Sequence, residues 1–171
     1  MLLTYHPYMR LQFDPALRLL RMQLTPLPWQ SDEFRKATLA LLQAAEDMDA
    51  RLCLLDLAST HRVSVSDQLW MSVHWSPWAV RLPLQRVVYH FGPQQPYNQL
   101  AVESLLYLAG PLVRFDAQFF SDISSGLGWL TNDSPHLPAL LAEWQTASPW
   151  AEAIALLPPD PHLASRSRAA G

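Results

Sequence analysis

The sequence predicts an α/β fold in which an N-terminal β-hairpin is followed by βα units. Two observations carry this prediction. Near the N-terminus apolar residues alternate with polar ones at a spacing of two, and further along short apolar runs alternate with stretches that repeat at helical spacing. Such alternation of strands and helices is typical of a sheet covered by helices and joined by right-handed crossovers.

The first predicted element is a hairpin over residues 8–24. Its two arms each alternate apolar and polar residues, and Asp14-Pro15-Ala16 between them is suited to a turn, because proline presets φ and aspartate can cap the turn. Pro26 and Pro28 then end the second strand. The apolar positions of the two arms are Met9, Leu11, Phe13, Leu20, Met22 and Leu24.

A helix and a central strand come next. The helix is predicted to begin at Ser31, where two acidic residues follow and favour the positive end of the helix dipole. Residues 51–57 then form a nearly all-apolar run that ends in Asp56. Such a run is typical of a strand buried on both faces of a parallel sheet. The single cysteine, Cys53, lies in this run and is expected to be buried and inert.

A second helix is predicted to begin at Ser66, and Pro77 should kink or end it, because proline removes a backbone hydrogen bond. Residues 86–91 are predicted to form the next strand. The following helix should end at Gly110-Pro111. Its predicted apolar stripe consists of Tyr97, Leu100, Ala101, Ser104, Leu105 and Leu108.

The last βα unit is predicted near the edge of the sheet. Residues 113–119 alternate between apolar and polar side chains, which indicates a half-exposed strand. Ser121 or Asp122 is expected to cap a short final helix. The apolar residues of that helix fall on one face and are Ile123, Leu127 and Leu130.

Beyond the last helix the composition changes, and prolines punctuate two short amphipathic pieces. We therefore divide the chain into a domain over residues 1–133, a helical extension over 134–157 and a disordered tail over 158–171. Trp144 and Trp150 would give the extension an apolar side, which we expect to dock on the domain or on a second subunit.

Composition argues against several function classes. The net charge is −3 and no basic run occurs, so nucleic-acid binding is not expected. No apolar run approaches the ~20 residues that span a bilayer, and no signal peptide is recognised, so we expect a soluble cytoplasmic protein. With 16% charged residues and seven tryptophans, the apolar surface exceeds what one small core needs, which favours self-association, a partner or an apolar pocket.

The pattern resembles the STAS-like or SpoIIAA-like fold, which includes anti-sigma-factor antagonists. The resemblance covers about residues 5–132. Besides the hairpin and βα units, it rests on Leu54-Leu55-Asp56-Leu57 at the end of the central strand and on Phe120-Ser121-Asp122 followed by Gly128-Trp129-Leu130. It implies a bacterial, non-enzymatic regulatory or protein-interaction module, expected to be a homodimer with a possible protein partner.

The resemblance also implies a phosphoacceptor, because in anti-sigma-factor antagonists a serine at the start of the helix after the central strand receives a phosphate. The matching positions are Ser64 and Ser66, although the Asp-Ser-Ser-Gly-Leu-Gly run of that family is missing there. A phosphate is favourable at a helix N-terminus, and the alternative is that Ser66 is only an N-cap. A similar run, Ser124-Ser125-Gly126, comes after the last strand, and we expect it only to close the fold.

Three tryptophans lie within residues 70–78 and cannot share one helix face. Trp70 and Val73 fit the predicted core stripe, so the other tryptophans should cover something else. One explanation is packing on the core and on the domain or the C-terminal pieces. The other is a dimer interface or an apolar pocket between the sheet and this helix, because tryptophan is enriched at interfaces. The alternative function is therefore binding of a small apolar ligand or lipid. The residues assigned to this pocket or interface are Trp70, Trp75, Trp78, Trp144 and Trp150.

Catalytic and metal chemistry finds little support in the sequence. The six histidines are scattered without the spacing of a metal site, and no cofactor is expected. His61 and His74 could approach Asp56 at the carboxyl end of the central strand, where open α/β sheets bind ligands. No nucleophile motif accompanies such a pair, so we expect a protein that is not an enzyme.

Overall fold

The computed structural model describes residues 2–6, 9–24 and 29–146. Six strands form one sheet in the order of the sequence. The first three pair antiparallel, and the third to the sixth run parallel. The predicted α/β fold, with an N-terminal hairpin and later parallel strands, is confirmed. The strands are β1 (Leu2–His6), β2 (Met9–Asp14), β3 (Leu19–Leu24), β4 (Leu52–Asp56), β5 (Arg86–His90) and β6 (Asp116–Phe120).

The helices connect and cover these strands. The first begins at Ser31, as predicted, and Glu33 accepts a hydrogen bond from the backbone of Gln30 there. The predicted C-terminal helix is also present. The helices are α1 (Ser31–Asp47), α2 (Val65–Trp70), α3 (Ser76–Ala79), α4 (Pro96–Ala109), α5 (Ile123–Thr131) and α6 (Leu137–Thr146). None of the helices within the described ranges is long and apolar enough to cross a membrane.

The segment between α2 and α3 is a π-helix over Met71–Trp75, so helical structure is continuous from Val65 to Ala79. The Ser76 N–H bonds the Met71 carbonyl across this wider turn. Pro77, which has no N–H to donate, follows immediately at the start of α3. Pro77 therefore lies where the π-helix passes into the α-helix α3, and the helical segment continues past it to Ala79.

Strand β1 precedes the hairpin and was not predicted, and it pairs antiparallel with β2. Strand β6 lies at the opposite edge of the sheet and is partly exposed, as its alternating residues predicted. Between these edges, four of the five residues of β4 are buried, and Cys53, Leu54 and Leu55 are among them. Burial raises the pKa of the Cys53 thiol to about 12, so the thiol is protonated at neutral pH.

Two apolar cores lie on the two faces of the sheet. The larger is on the face that carries Met22, Leu55 and Tyr89 and that is covered by α1, the α2–α3 segment and α4. The smaller is on the face that carries Leu54 and Val88, where α5 and α6 pack. Alternation along each strand therefore divides the side chains between two different environments.

Candidate functional site

An apolar cavity lies between the larger-core face of the sheet and its three helical covers. Its volume is about 90 Å³. Leu41 of α1, Tyr89 of β5, Trp75 of the π-helix and Leu105 of α4 each contribute a wall. None of the residues that line it is charged. Such a cavity, dominated by apolar side chains with a few polar groups, is the usual form of a small-molecule site.

The α2–α3 segment presents one stripe of side chains to the cavity. Gln68, Met71, Trp75 and Ala79 line it at spacings of three and four residues. Trp75 is held from both sides, because its ring packs against the larger core while its Nε1 donates to the Thr38 carbonyl at 3.1 Å. The Trp75 side chain is therefore held in one position in the cavity wall.

The other two tryptophans of this segment lie outside the cavity. Trp78 packs at the rim of the larger core and donates from Nε1 to Glu46 at 3.2 Å. Trp70 lies beside Arg35, whose guanidinium carbon is 5.4 Å from the ring centre. Val73 is 61% exposed. The expectation that Trp70 and Val73 form the core stripe was wrong, since Trp75 and Ala79 lie on the inward face.

Trp144 does not join this group. Trp144 is buried on the opposite face of the sheet, where the guanidinium carbons of Arg10 and Arg21 lie 3.7 and 3.8 Å from its ring centre. The sheet separates it from Trp75. Trp150 lies outside the described residues. Of the four predicted tryptophans that the structure describes, only Trp75 lines the cavity.

The helical stripe predicted for α4 is displaced. Leu100 and Leu108 are 60% and 70% exposed, whereas Asn98 and Ala101 are buried. Asn98 is buried because its amide accepts from the Val63 N–H and donates to the Thr60 and His61 carbonyls. Asn98 is a polar residue beside the apolar residues of α4, which is the only sequence signal for its burial. Its hydrogen-bond partners are known only from the fold.

One end of the cavity is polar, in the loop between β4 and α2. Thr60 lines the cavity and is only 6% exposed. Its carbonyl accepts hydrogen bonds from the side chains of Gln95 and Asn98. Its Oγ1, although buried, has no hydrogen-bond partner among the described residues, and the same holds for Gln95 Oε1. Sequence reasoning missed Thr60, because a single threonine in a loop carries no pattern.

The two candidate phosphoacceptors flank the start of α2. Ser64, not Ser66, is the N-cap, because its hydroxyl accepts from the Asp67 N–H at 3.1 Å. The capping role predicted for Ser66 was therefore wrong. Ser66 is exposed, and its hydroxyl accepts from Arg35 at 3.2 Å. A phosphate on Ser66 would face this guanidinium, whereas one on Ser64 would lie against the Asp67 carboxylate.

Asp67 ties this helix start to α1. Its carboxylate accepts from Ser31, Ser64 and Arg35 at 2.7 to 2.8 Å. Burial acts to raise its pKa, but these hydrogen bonds and the charge of Arg35 outweigh burial, so the pKa is lowered. Asp67 therefore remains ionised at neutral pH and holds α2 against α1.

The histidine beside Asp56 is His90, not His61 or His74, which are both exposed. Its Nδ1 lies 2.8 Å from Asp56 Oδ1, and its Nε2 lies 3.3 Å from the Ser121 carbonyl. The hydrogen bond to Asp56 raises the pKa of His90 against the opposing effect of burial. With both ring nitrogens next to acceptors, the imidazolium is favoured, and it offers no free nitrogen to act as a base. Asp56 and His90 pair directly in the parallel register of β4 and β5, so the strand assignments could have found this contact.

In the first turns of α5, Ser124 and Ser125 are exposed, and Gly126 alone of the Ser124-Ser125-Gly126 run packs against the sheet. Asp122 caps this helix, as predicted, and accepts from the Ser125 N–H at 2.7 Å. Gly126 faces the Val88 side chain of β5. The run therefore lies in the helix that follows the last strand, β6.

Within residues 2–6, 9–24 and 29–146, no group of three or more metal-binding side chains lies close enough together to hold an ion. Comparisons with protein-family models, with curated proteins and with solved structures found no match. The geometry of the cavity and its surroundings is therefore the basis for a functional assignment.

Proposed function

We propose that this chain is a non-enzymatic binding module that holds a small apolar molecule in the cavity under Trp75. The single observation that supports this most is the cavity wall, which combines aliphatic and aromatic side chains from the sheet and three helical segments and contains no charged residue. Burying an apolar ligand there would be favourable by about 25 cal/mol for each Å² removed from water.

The size of the cavity limits the part of the ligand that fits inside. Its volume of about 90 Å³ is below the roughly 150 Å³ of an engineered cavity that takes up benzene. A group of about five heavy atoms therefore suits the enclosed part, and a longer molecule would extend into the mouth.

The polar groups of the cavity wall support binding rather than catalysis. They belong to Thr38, Thr60, Gln68, Ser76 and Asn98, together with the hydroxyl of Tyr89. Burial raises the pKa of that tyrosine, so it stays protonated. None of these groups gains or loses a proton near neutral pH. They can orient a ligand by hydrogen bonds but offer no acid or base poised for proton transfer.

Filling the cavity tests this proposal. Ala101 is buried in α4 and lines the cavity, so Ala101→Leu should occupy the space and weaken cyclopentane binding at least tenfold. The matched control, Ser104→Leu, adds the same side chain to an exposed position of α4 and should bind as the wild type does. Amide chemical shifts in a cyclopentane titration measure both affinities. Absence of binding to the wild-type protein would overturn the proposal.

A STAS-like interaction module that pairs with a second copy of itself is the second candidate. The observation that favours it is a concentration of exposed apolar side chains on α2, the π-helix, α4 and the short 3₁₀ turn that follows α4. These side chains are Val65, Leu69, Val73, Leu100, Tyr107, Leu108 and Leu112. In this reading a phosphate on Ser66 would be held by Arg35 beside the same surface. Native mass spectra separate the two candidates, because a dimer doubles the protein mass whereas a ligand adds a small one.

A further inference from the structure

The polar end of the cavity carries an unused hydrogen-bonding group. Thr60 Oγ1 is buried without a partner among the described residues, while the backbone of Thr60 is fully engaged. Its N–H donates to the Leu57 carbonyl, and its own carbonyl accepts from Gln95 and Asn98. The loop is thus held in place by its backbone, and the hydroxyl is left over.

A buried polar group without a partner is unfavourable, because it has given up its hydrogen bonds to water and gained none in return. Native proteins keep few such groups, and those that persist call for an explanation. Here the group belongs to a residue that lines an otherwise apolar cavity. A ligand oxygen would provide the missing partner.

We propose that the ligand is a neutral apolar molecule with one hydroxyl or carbonyl oxygen that hydrogen-bonds Thr60 Oγ1. This inference rests on the proposed function and narrows it to a chemical class. A hydroxyl group such as that of threonine can donate one hydrogen bond and accept others, so it suits an alcohol or a ketone.

The lack of charged side chains in the cavity wall excludes ionised ligands from this class. Within the part of the chain that the structure describes, no Lys, Arg, His, Asp or Glu lines the cavity. A carboxylate or ammonium group buried there would lack a counter-charge, and an isolated buried charge is far more costly than a buried hydroxyl. A fatty-acid anion would therefore have to leave its headgroup outside the cavity.

The test compares cyclopentane and cyclopentanol on the wild type, on Thr60→Val and on Thr60→Ser. Valine keeps the shape of threonine but has no hydroxyl, whereas serine keeps the hydroxyl. We expect Thr60→Val to weaken cyclopentanol binding about tenfold or more, because the ligand hydroxyl would be buried without its partner. Cyclopentane affinity should stay within about twofold, and Thr60→Ser should retain the affinity of the wild type for cyclopentanol.

The use of two probes separates the two hypotheses. If cyclopentane binds but Thr60→Val changes both affinities equally, the hydroxyl assignment is overturned and the proposed function stands. If neither probe binds the wild type, the proposed function itself fails. A third probe, cyclopentanecarboxylate at pH 7, should bind at least tenfold more weakly than cyclopentanol, and equal binding would overturn the restriction to neutral ligands.

Discussion

Gly126 shows how closely α5 approaches the sheet. A Cβ atom at this position would lie 2.9 Å from Val88 Cγ1, closer than real Cβ atoms come to a neighbour. Val88 is fully buried in β5, and its β-branched side chain has little freedom to turn aside. Glycine is therefore required at this position by space alone, since its φ is not positive.

We predict that Gly126→Ala destabilises the protein although alanine favours helices. Overpacking costs about 1–3 kcal/mol, and the helix propensity of alanine returns about 1 kcal/mol, so the free energy of unfolding should fall by up to about 2 kcal/mol. Gly110→Ala is the matched control, because a Cβ there meets nothing within 4 Å. Any loss from the control should be smaller than that from Gly126→Ala, because only the adjacent Pro111 crowds the new Cβ. Urea denaturation measures the free energy of unfolding of both variants. A Gly126→Ala variant that is as stable as the wild type would contradict the close contact.

Among the elements, α6 is held on the sheet by the smaller core, by Gln12 and by one aromatic side chain, Trp144. Trp144 is 8% exposed and lies against the guanidinium groups of Arg10 and Arg21. Arg10 also donates to the Trp144 carbonyl. Burial lowers the pKa of Arg21 to about 10, an effect that Asp56 partly opposes, so Arg21 is still charged at neutral pH. The ring therefore covers two buried cations on the face of the sheet that carries the smaller core.

Replacing Trp144 should release this helix. We predict that Trp144→Ala lowers the free energy of unfolding by about 3–5 kcal/mol, the usual range for removing a buried large aromatic side chain. Trp144→Phe keeps a ring over the guanidinium groups and should lose less than half as much. Thermal unfolding followed by circular dichroism measures the difference. If the alanine variant is as stable as the phenylalanine variant, α6 does not depend on this contact.

The sequence predicted where the helices lie but not, in two of them, which face packs on the sheet. Their existence followed from apolar periodicity, but the inward faces of the α2–α3 segment and of α4 did not. Both are apolar on more than one side, so periodicity could not choose between Val73 and Trp75 or between Leu100 and Ala101. The choice came from contacts distant in sequence, namely Trp75 with Thr38 and Asn98 with the Thr60 loop.

For the whole molecule, the alternation of strand residues predicted the sheet but not the difference between its two sides. One side of β4 and β5 carries Leu55 and Tyr89 toward the cavity, and the other carries Asp56 and His90. An apolar pocket was predicted from the tryptophans of residues 70–78, but its full set of walls could not be, because they come from α1, the α2–α3 segment and α4 together. The Asp56–His90 pair was within reach of prediction, since it required only the parallel register.

That pair makes the stability of the whole domain depend on pH. The folded-state pKa of His90 is raised, chiefly by its hydrogen bond to Asp56, so the folded protein binds this proton more tightly than the unfolded chain does. The stabilisation is fully present below the unfolded pKa of about 6.5. It is lost as the pH rises through the folded-state value.

We therefore predict that the stability difference between the wild type and His90→Gln is largest at mildly acidic pH and shrinks toward alkaline pH. Glutamine can still donate to Asp56, but it carries no proton to titrate. His61→Gln is the control, because His61 is exposed and its ring has no contact with Asp56 in this structure. Urea denaturation between about pH 5 and 9 measures the free energy of unfolding of all three proteins. A wild-type advantage over His90→Gln that stays constant across this range would show that the imidazolium–carboxylate pair does not stabilise the fold.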